Sequence, residues 1–410
     1  MSPKEPGETD FTQQGRTFRI EALRSLPQGF VETAGTTYAM YVAIRVFDLS
    51  PWMKGAIIAS GSVGLLLNLF LVQWVRRWGW TVNRVAAGAW LLGAAGFAIA
   101  AACAAFPLAY GLAVCLAFMA AYLASPLMAE IYRKHYADDR RGRLFSWTTM
   151  SRAAVTAGSG VVAGIWLEKQ GFAPLFVAYA VASVAMAACV MAMAPVRLRA
   201  SRRIRWFDAF RHVGGDPPFR KLLVVWMLLG LGNLISGALF VEFISNPDYG
   251  FGYDARSSGW ITSTIPMLAF IGTVVAWGWV FDRMPFYTVR LLVNLFFIAG
   301  ILIYFSAGGP LGLCVGIGLH GIASSGGTIL WTLWTTRFAP ADRLMEYQSV
   351  HGFLTGVRGV LAPLIAFGMA GNLGPETVGW LSSGLLVAAT LMIAPEIRQE
   401  WRGISQQRKS

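Results

Sequence analysis

Charged side chains are scarce in this chain: Asp, Glu, Lys and Arg make up 13% of the residues, and hydrophobic residues make up 56%. Soluble domains carry about 25% charged residues, so this composition is typical of a protein embedded in a membrane. Acidic residues are fewer than basic ones, with 21 Asp and Glu against 34 Lys and Arg. The net charge of +13 would suit a nucleic-acid binder, but the placement of the basic residues argues against that class.

Cysteine is scarce as well, and the four cysteines show no disulfide or metal-ligand spacing. All lie inside apolar stretches, where we expect small buried hydrophobic residues: Cys103, Cys115, Cys189 and Cys314. The sequence also lacks a Walker A loop, a nucleophile elbow and a Cys/His nucleophile pattern. These absences predict a protein that is not an enzyme, is not driven directly by ATP, and holds no metal or other cofactor.

Long hydrophobic runs are what the sequence has in abundance. Twelve apolar stretches, each about 20 to 25 residues long, fill most of the chain between residues 19 and 396, and a helix of that length crosses a bilayer. The predicted fold class is therefore an all-α polytopic membrane protein with twelve transmembrane helices. The predicted spans are 22–46, 52–75, 83–105, 108–132, 144–167, 172–194, 220–245, 257–281, 287–307, 310–336, 346–369 and 376–395.

The single long connection between spans, 197–218, divides them into two sets of six. We predict a cytoplasmic tail (1–18), an N-terminal six-helix bundle (19–196), a basic central loop (197–218), a C-terminal six-helix bundle (219–396) and a second cytoplasmic tail (397–410). Within the central loop, aromatic residues alternate with charged ones in the segment WFDAF. This pattern predicts a short amphipathic helix on the membrane surface.

Basic residues cluster in alternate connections, and the intervening ones hold only Arg45, Lys54, Lys169 and Arg256. By the positive-inside rule, the basic connections face the cytoplasm. Both termini and the central loop are then cytoplasmic, in a protein of the plasma (inner) membrane. A polybasic loop can also contact anionic lipid.

The two halves of the chain resemble each other at an offset of about 201 positions. This offset places Gly29 on Gly230 and Glu32 on Asn233, and a near-identical offset places Arg141 on Arg343. Two six-helix halves repeated in parallel are the architecture of a rocker-type secondary transporter.

The chain resembles the major facilitator superfamily over essentially its whole length. The segment GWVFDRMPFYTVR, after the second span of the C-terminal half, carries the gate motif of that family at Gly278, Asp282, Arg283 and Arg290. The corresponding N-terminal segment, VQWVRRWGWTVNR, fits this motif less completely: Arg77 and Gly79 match, but Arg76 stands where the acid belongs.

The resemblance implies that the first, fourth, seventh and tenth spans line a central cavity. In the first span, Arg24, Gln28, Glu32 and Thr36 recur every fourth residue and form a polar stripe on one helical face. Glu32 is expected near the bilayer midplane, where burial favours a protonated carboxyl group and suits proton coupling. The alternative is a structural Glu held by a neighbouring Arg or Gln.

The seventh span carries Asn233 at the position equivalent to Glu32, and Glu242 nearer its outer end. Asn233 is a candidate binding residue, whereas Glu242 is expected at an entrance or at the lipid interface. In the tenth span, His320, Ser324 and Trp331 follow helical spacing and predict a cavity wall, although a lone His in a membrane is often simply hydrogen-bonded.

The eleventh span places His351 and Arg358 on one face. An Arg at this depth cannot lose its proton, so it must pair with a carboxylate, most economically Glu32, or bind an anion. Its counterpart in the fifth span, Arg152, is expected to extend toward the cytoplasmic surface.

These patterns together predict a monomeric secondary transporter. We expect it to move a small organic solute, anionic or amphipathic, with or against protons by alternating access. The alternative is a transporter-like sensor or scaffold that acts through the basic central loop. A membrane-embedded enzyme using His320 and His351 is a more distant alternative.

Overall fold

The computed structural model describes residues 11–198, 206–340 and 343–407. Within these ranges the chain is helical and forms no β-strand, apart from one isolated bridge between Thr81 and Arg197. The first helices are α1 (Phe11–Thr33), α2 (Ala39–Arg45), α3 (Pro51–Arg77), α4 (Val82–Ala102), α5 (Pro107–His135), α6 (Asp138–Gln170) and α7 (Phe172–Ala192). The others are α8 (Trp206–Gly214), α9 (Pro217–Ser245), α10 (Ala255–Gly259), α11 (Ile265–Arg283), α12 (Phe286–Phe305), α13 (Pro310–Phe338), α14 (Leu344–Leu373), α15 (Pro375–Met392) and α16 (Ala394–Gln407).

Ten helical segments of the described chain are long and apolar enough to cross a bilayer. The continuous helix formed by α1 and α2, and the long helix α6, complete the twelve predicted spans. Both carry more polar residues than the other spans. Both also begin before their predicted positions, at Phe11 rather than 22 and at Asp138 rather than 144, because hydropathy detects only the apolar part of a helix.

The chain divides into two compact units. The N-unit contains the described residues of Met1–Leu49 and Ser60–Ser201, and the C-unit contains those of Ser50–Ala59 and Arg202–Ser410. The first turns of α3 therefore belong to the C-unit. There Gly55 lies against Pro363 and Leu364 of α14, so close that an added Cβ would be 3.2 Å from the Pro363 carbonyl oxygen.

Within the described ranges, two spans contain a π-helical turn. Ala34–Tyr38 joins α1 to α2, and Trp260–Thr264 joins α10 to α11. A π turn is wider than an α turn, so it changes the register of the residues that follow. The polar stripe predicted for the first span thus keeps α-helical spacing from Arg24 to Glu32, and the turn interrupts it before Thr36.

Close helix contact in each unit depends on glycine. On α4, a Cβ added to Gly96 would lie 2.7 Å from the backbone nitrogen of Ala117 on α5. On α12, a Cβ added to Gly300 would lie 2.8 Å from the carbonyl oxygen of Gly316 on α13. Small residues let membrane helices approach closely, so that packing replaces the hydrophobic driving force that lipid removes.

The short helix predicted in the central loop is present as α8, and it packs on α14. Ala209 and Val213 are buried, while His212 Nδ1 lies 2.7 Å from a carboxylate oxygen of Glu346. The basic residues of this loop from Arg199 to Arg205 lie outside the described residues.

Candidate functional site

Helices α1 and α5 of the N-unit share a buried polar network. The Arg24 guanidinium donates from Nε and Nη2 to the two carboxylate oxygens of Glu21, at 2.8 and 2.6 Å. The Tyr132 hydroxyl donates to the same carboxylate at 2.6 Å and accepts from Arg24 at 3.1 Å. Glu21 and Arg24 are buried, so each charge is compensated by the other.

A second ion pair lies two turns further along α1. The Glu32 carboxylate is 3.2 Å from Nη1 of Arg152 on α6, and the Thr156 hydroxyl lies 3.1 Å from its other oxygen. Both charged side chains remain 34% exposed, so the pair is open to water or to a ligand. Arg152 thus contacts Glu32 rather than extending toward the surface, so the prediction of a surface-directed Arg152 is wrong, whereas the pairing of Glu32 with Arg358 stays a prediction.

A cavity of about 210 Å³ lies between α1, α4, α5 and α6 in the N-unit. Gln28, predicted as a site residue, lines it together with Arg152. Buried nitrogen atoms without an acceptor occur on three of its lining residues: Arg24 Nη1, Trp90 Nε1 and Arg152 Nε. The other lining residues include Ser25, Ser125, Met128, Phe145, Thr148 and Thr149. The cavity is therefore rich in hydrogen-bond donors and hydroxyl groups.

The C-unit contains a cluster of two arginines and four rings, which we call the arginine–tryptophan cluster. Its members come from α9, α12, α13 and α14 and are Trp226, Arg290, Trp331, Trp334, His351 and Arg358. The Arg290 guanidinium lies 4.1 Å from the centre of the Trp226 ring, and Arg358 lies 5.4 Å from that of Trp331. Such contacts place a cation on the negative face of an aromatic ring.

The rings of the cluster contact one another. Trp226 stacks on Trp334 with ring centres 5.3 Å apart, and His351 lies 4.3 Å from Trp331 and 4.8 Å from Trp334. His351 and Trp334 are buried, with His351 Nε2 and Trp334 Nε1 lacking a hydrogen-bond partner. The structure therefore brings together three of the predicted site residues, Trp331, His351 and Arg358.

Arg358 reaches α9 through a gap that only glycine leaves open. Its Nη1 donates to the Trp226 carbonyl at 2.5 Å, and its guanidinium lies directly against Gly230. A Cβ at position 230 would overlap Nη1 and Cζ of Arg358. Gly29, which the internal repeat aligns with Gly230, likewise lies against the α6 backbone at Arg152, so both units use a glycine at this contact.

Arg290 is a site residue that the sequence reasoning missed, because the gate motif assigned it to a cytoplasmic connection. The structure instead places it in the first turns of α12, 5% exposed. Glu21 and Tyr132 were also missed. For Glu21 the sequence did contain a signal, because an acid and a base three residues apart on a helix, as Glu21 and Arg24 are, can form an ion pair.

His320 and Ser324 precede the cluster residues on α13, and Asn233 lies about one turn after Gly230 on α9. His320 sits between the rings of Phe240 and Phe297, at 4.9 and 5.1 Å, and Ser324 donates to its carbonyl oxygen at 2.8 Å. His320 is eleven residues before Trp331 on α13, about 16 Å along the helix. Asn233 is half-buried on α9, with its side-chain oxygen unpartnered.

The predicted gate residues lie at helix ends. Gly278 is half-buried, whereas Asp282 and Arg283 are exposed in the last turn of α11, where Arg283 lies 4.4 Å from the ring centre of Trp279. In the N-unit, Arg77 ends α3 and Gly79 follows it with a φ of +64°. This backbone conformation explains the glycine at that position of the motif.

Glu242 is neither exposed nor at a lipid interface, and that prediction is wrong. It is 1% exposed, and its carboxylate lies 2.6 Å from Nζ of Lys54. Asn246 also donates to the same oxygen at 3.0 Å. The ion pair joins the first turn of α3 to the last turns of α9 within the C-unit.

Comparison with solved structures identifies the architecture. The nucleoside transporter NupG superposes with a TM-score of 0.73 at 15% identity, over 92% of this chain and 99% of that one. The xylose transporter XylE from E. coli superposes with a TM-score of 0.68 at 12% identity, over 93% of this chain and 97% of that one. A POT family transporter in complex with 5-aminolevulinic acid superposes with a TM-score of 0.70 at 13% identity, over 95% of this chain and 98% of that one. The chain has the major facilitator fold.

This fold confirms the predicted all-helical architecture of twelve spans in two six-helix bundles, and the chain is an integral membrane protein. No protein-family model matches the sequence, and neither does any curated protein. At identities of 12 to 15%, the fold is what these structures share with this chain. All three are described as transporters rather than enzymes.

Proposed function

We propose that the protein is a secondary active transporter that moves a small organic solute by alternating access and couples this movement to protons. The observation that carries the proposal is the partly exposed ion pair of Glu32 and Arg152, near Gln28 and the N-unit cavity. The transporter descriptions of the structurally similar proteins support the general class.

The pair provides a physical basis for coupling. A protonated Glu32 loses its attraction for Arg152, whose guanidinium then becomes available to hydrogen-bond acceptors of a solute. Conversely, a bound acceptor competes for Arg152 and makes protonation of Glu32 more favourable. Proton and solute binding thus assist each other, which is the thermodynamic requirement of symport.

The orientation follows from the distribution of basic residues. Both termini and the central loop are cytoplasmic in this proposal, and the protein resides in the plasma (inner) membrane. The connections that follow Arg77 and Arg283 then face the cytoplasm, where the gate motif is expected to act. Gly278, Asp282 and Gly79 are the other members of that proposed gate.

Proteoliposomes with an imposed pH gradient test the proposal. A Glu32→Gln variant should lose gradient-driven accumulation and retain counterflow exchange, because the amide cannot exchange a proton. Glu130→Gln is a matched control, since Glu130 forms another partly exposed ion pair, with Arg133, in the same unit. Equal loss of accumulation and exchange in Glu32→Gln would indicate a structural glutamate and contradict coupling at this residue.

A further inference from the structure

We infer that the arginine–tryptophan cluster of the C-unit binds the anionic group of the solute, which is therefore an organic anion with an apolar body. This inference rests on the proposed transport function and names its substrate class. Arg290 and Arg358 bind the anionic group, and the surrounding rings contact the apolar body.

The charge of the cluster is uncompensated within the described chain. Arg290 is 5% exposed and rests on the Trp226 ring, while Arg358 donates to the neutral carbonyl of the same residue. Among described residues, the charged group that acts on Arg290 is Arg358, which has the same sign. Two guanidinium groups that repel each other in a buried site favour a ligand of opposite charge.

Arg24 and Lys54, the other basic side chains of Lys or Arg that are buried in the described part of the chain, each have a carboxylate partner. Arg24 is 3% exposed and has the Glu21 carboxylate, and Lys54 is 6% exposed and has the Glu242 carboxylate. Burial of an unpaired cation is costly, and these two sites avoid the cost by ion pairing. The absence of a described carboxylate on Arg290 and Arg358 is consistent with an acid that the solute supplies.

Hydrogen-bonding capacity in the cluster is also unused. Four buried nitrogen atoms of the cluster have no hydrogen-bond partner in the structure: Arg290 Nε, Arg358 Nε, His351 Nε2 and Trp334 Nε1. Guanidinium groups bind carboxylate and phosphate through paired, charge-assisted hydrogen bonds. An oxyanion that entered the cluster could satisfy several of these donors at once.

The rings determine what accompanies the anionic group. Trp331 is half-buried and lies beside both His351 and Arg358, so it offers an apolar face next to the charge. A hydrated inorganic ion gains little from such a face, whereas an organic anion buries apolar surface on it. The cluster is therefore better suited to an organic anion than to inorganic phosphate or sulfate.

Ligand-dependent thermal stabilisation of the purified protein in detergent tests this inference without a gradient or a transport step. The probes are benzoate, succinate and phenyl phosphate, the neutral amides benzamide and succinamide, and inorganic phosphate and sulfate. At least one organic anion should stabilise the protein with an affinity about tenfold or more above its neutral or inorganic counterparts, because charge-assisted hydrogen bonds are lost without the anionic group.

Variants locate the binding. Arg290→Gln and Arg358→Gln should each lower the affinity for the organic anion by about tenfold or more. Arg358→Lys should retain part of that affinity, because it keeps the charge. Arg220→Gln is the control, because Arg220 is an exposed arginine on α9 that donates to the Gly214 carbonyl. Removing one of two repelling charges should leave the ligand-free protein at least as stable as the wild type.

Three results would overturn the inference: no stabilisation of the wild type by any organic anion, equal stabilisation by inorganic anions, or undiminished binding to both Gln variants. Failure of the transport proposal is distinguishable from these. Anion binding without solute uptake would refute transport alone, while proton-driven uptake of a neutral solute without anion binding would refute the anion site alone.

Discussion

The ammonium group of Lys54 lies 2.6 Å from the carboxylate of Glu242, and both side chains are more than nine-tenths buried. The Lys54 nitrogen is also 5.6 Å from the ring centre of Phe367 on α14. The pair therefore ties the first turn of α3 to two other helices of the C-unit. Because both side chains are buried, water cannot replace a partner that is lost. Each charge therefore depends on the other for its compensation.

Glu242→Gln should lower the free energy of unfolding by about 3–5 kcal/mol, because it leaves the Lys54 charge buried and unpaired. Thermal denaturation in detergent measures the effect. Glu396→Gln is the comparison, since Glu396 pairs with Lys221 in a more exposed setting and should cost less than about 1 kcal/mol. Replacing both Lys54 and Glu242 by Met should recover much of the loss, and equal effects of the two Gln variants would contradict the importance of burial.

Gly230→Ala should displace the Arg358 guanidinium and weaken anion binding, because the added Cβ occupies the position of Nη1 and Cζ. The readout is the anion-dependent thermal shift. Gly237→Ala on the same helix has no neighbour within 4 Å of its added Cβ and should leave this shift unchanged. Retention of full anion binding in Gly230→Ala would mean that the position of Arg358 does not matter for the ligand.

In the Glu21–Arg24–Tyr132 network, substitutions of Glu21 and of Tyr132 should lower the stability of the protein by different amounts. Glu21→Gln removes the charge that compensates a buried Arg24 and should cost about 3–5 kcal/mol of stability. Tyr132→Phe removes a hydroxyl and leaves the ion pair, so about 1–2 kcal/mol is expected. Chemical or thermal denaturation of both variants side by side checks the order, and the reverse order would show that the hydroxyl, not the carboxylate, holds Arg24.

Packing of α4 on α5 should be sensitive to a single methyl group. In Gly96→Ala the new Cβ would lie 2.7 Å from the Ala117 nitrogen and 2.8 Å from the Ala113 oxygen, and backbone atoms cannot move aside as a flexible side chain can. A loss of about 1–3 kcal/mol is expected. Gly88→Ala, on the same helix and with open space around it, should be neutral or slightly stabilising.

Much of the fold could be predicted from the sequence because each span must satisfy its own backbone within lipid, and this requirement is visible as local apolar length. The α-helical spacing of Arg24, Gln28 and Glu32 likewise placed these residues on one face, and Gln28 does line the N-unit cavity. Such features depend only on residues near one another in the chain.

The partners of these residues could not be predicted in the same way. Glu32 contacts Arg152, more than a hundred positions away, and local spacing contains no information on which helices pack together. Arg290 was misassigned because it follows Arg283 by seven residues within the gate-motif segment, so its charge was interpreted as part of a cytoplasmic connection. Glu242 was misassigned because its partner, Lys54, was itself counted with a connecting loop.

The π turn at Ala34–Tyr38 determines where the first span tolerates a change in length. Every residue from Ala39 to Ile44 is buried beyond it, and the Tyr38 hydroxyl donates to the Gly160 carbonyl of α6. Loss of one residue from the α-helical part of α1 would rotate this buried segment by about 100° and withdraw it by about 1.5 Å. A π turn holds one residue more than an α turn, so the same loss within Ala34–Tyr38 would close the turn to α-helical geometry and leave the buried segment in register.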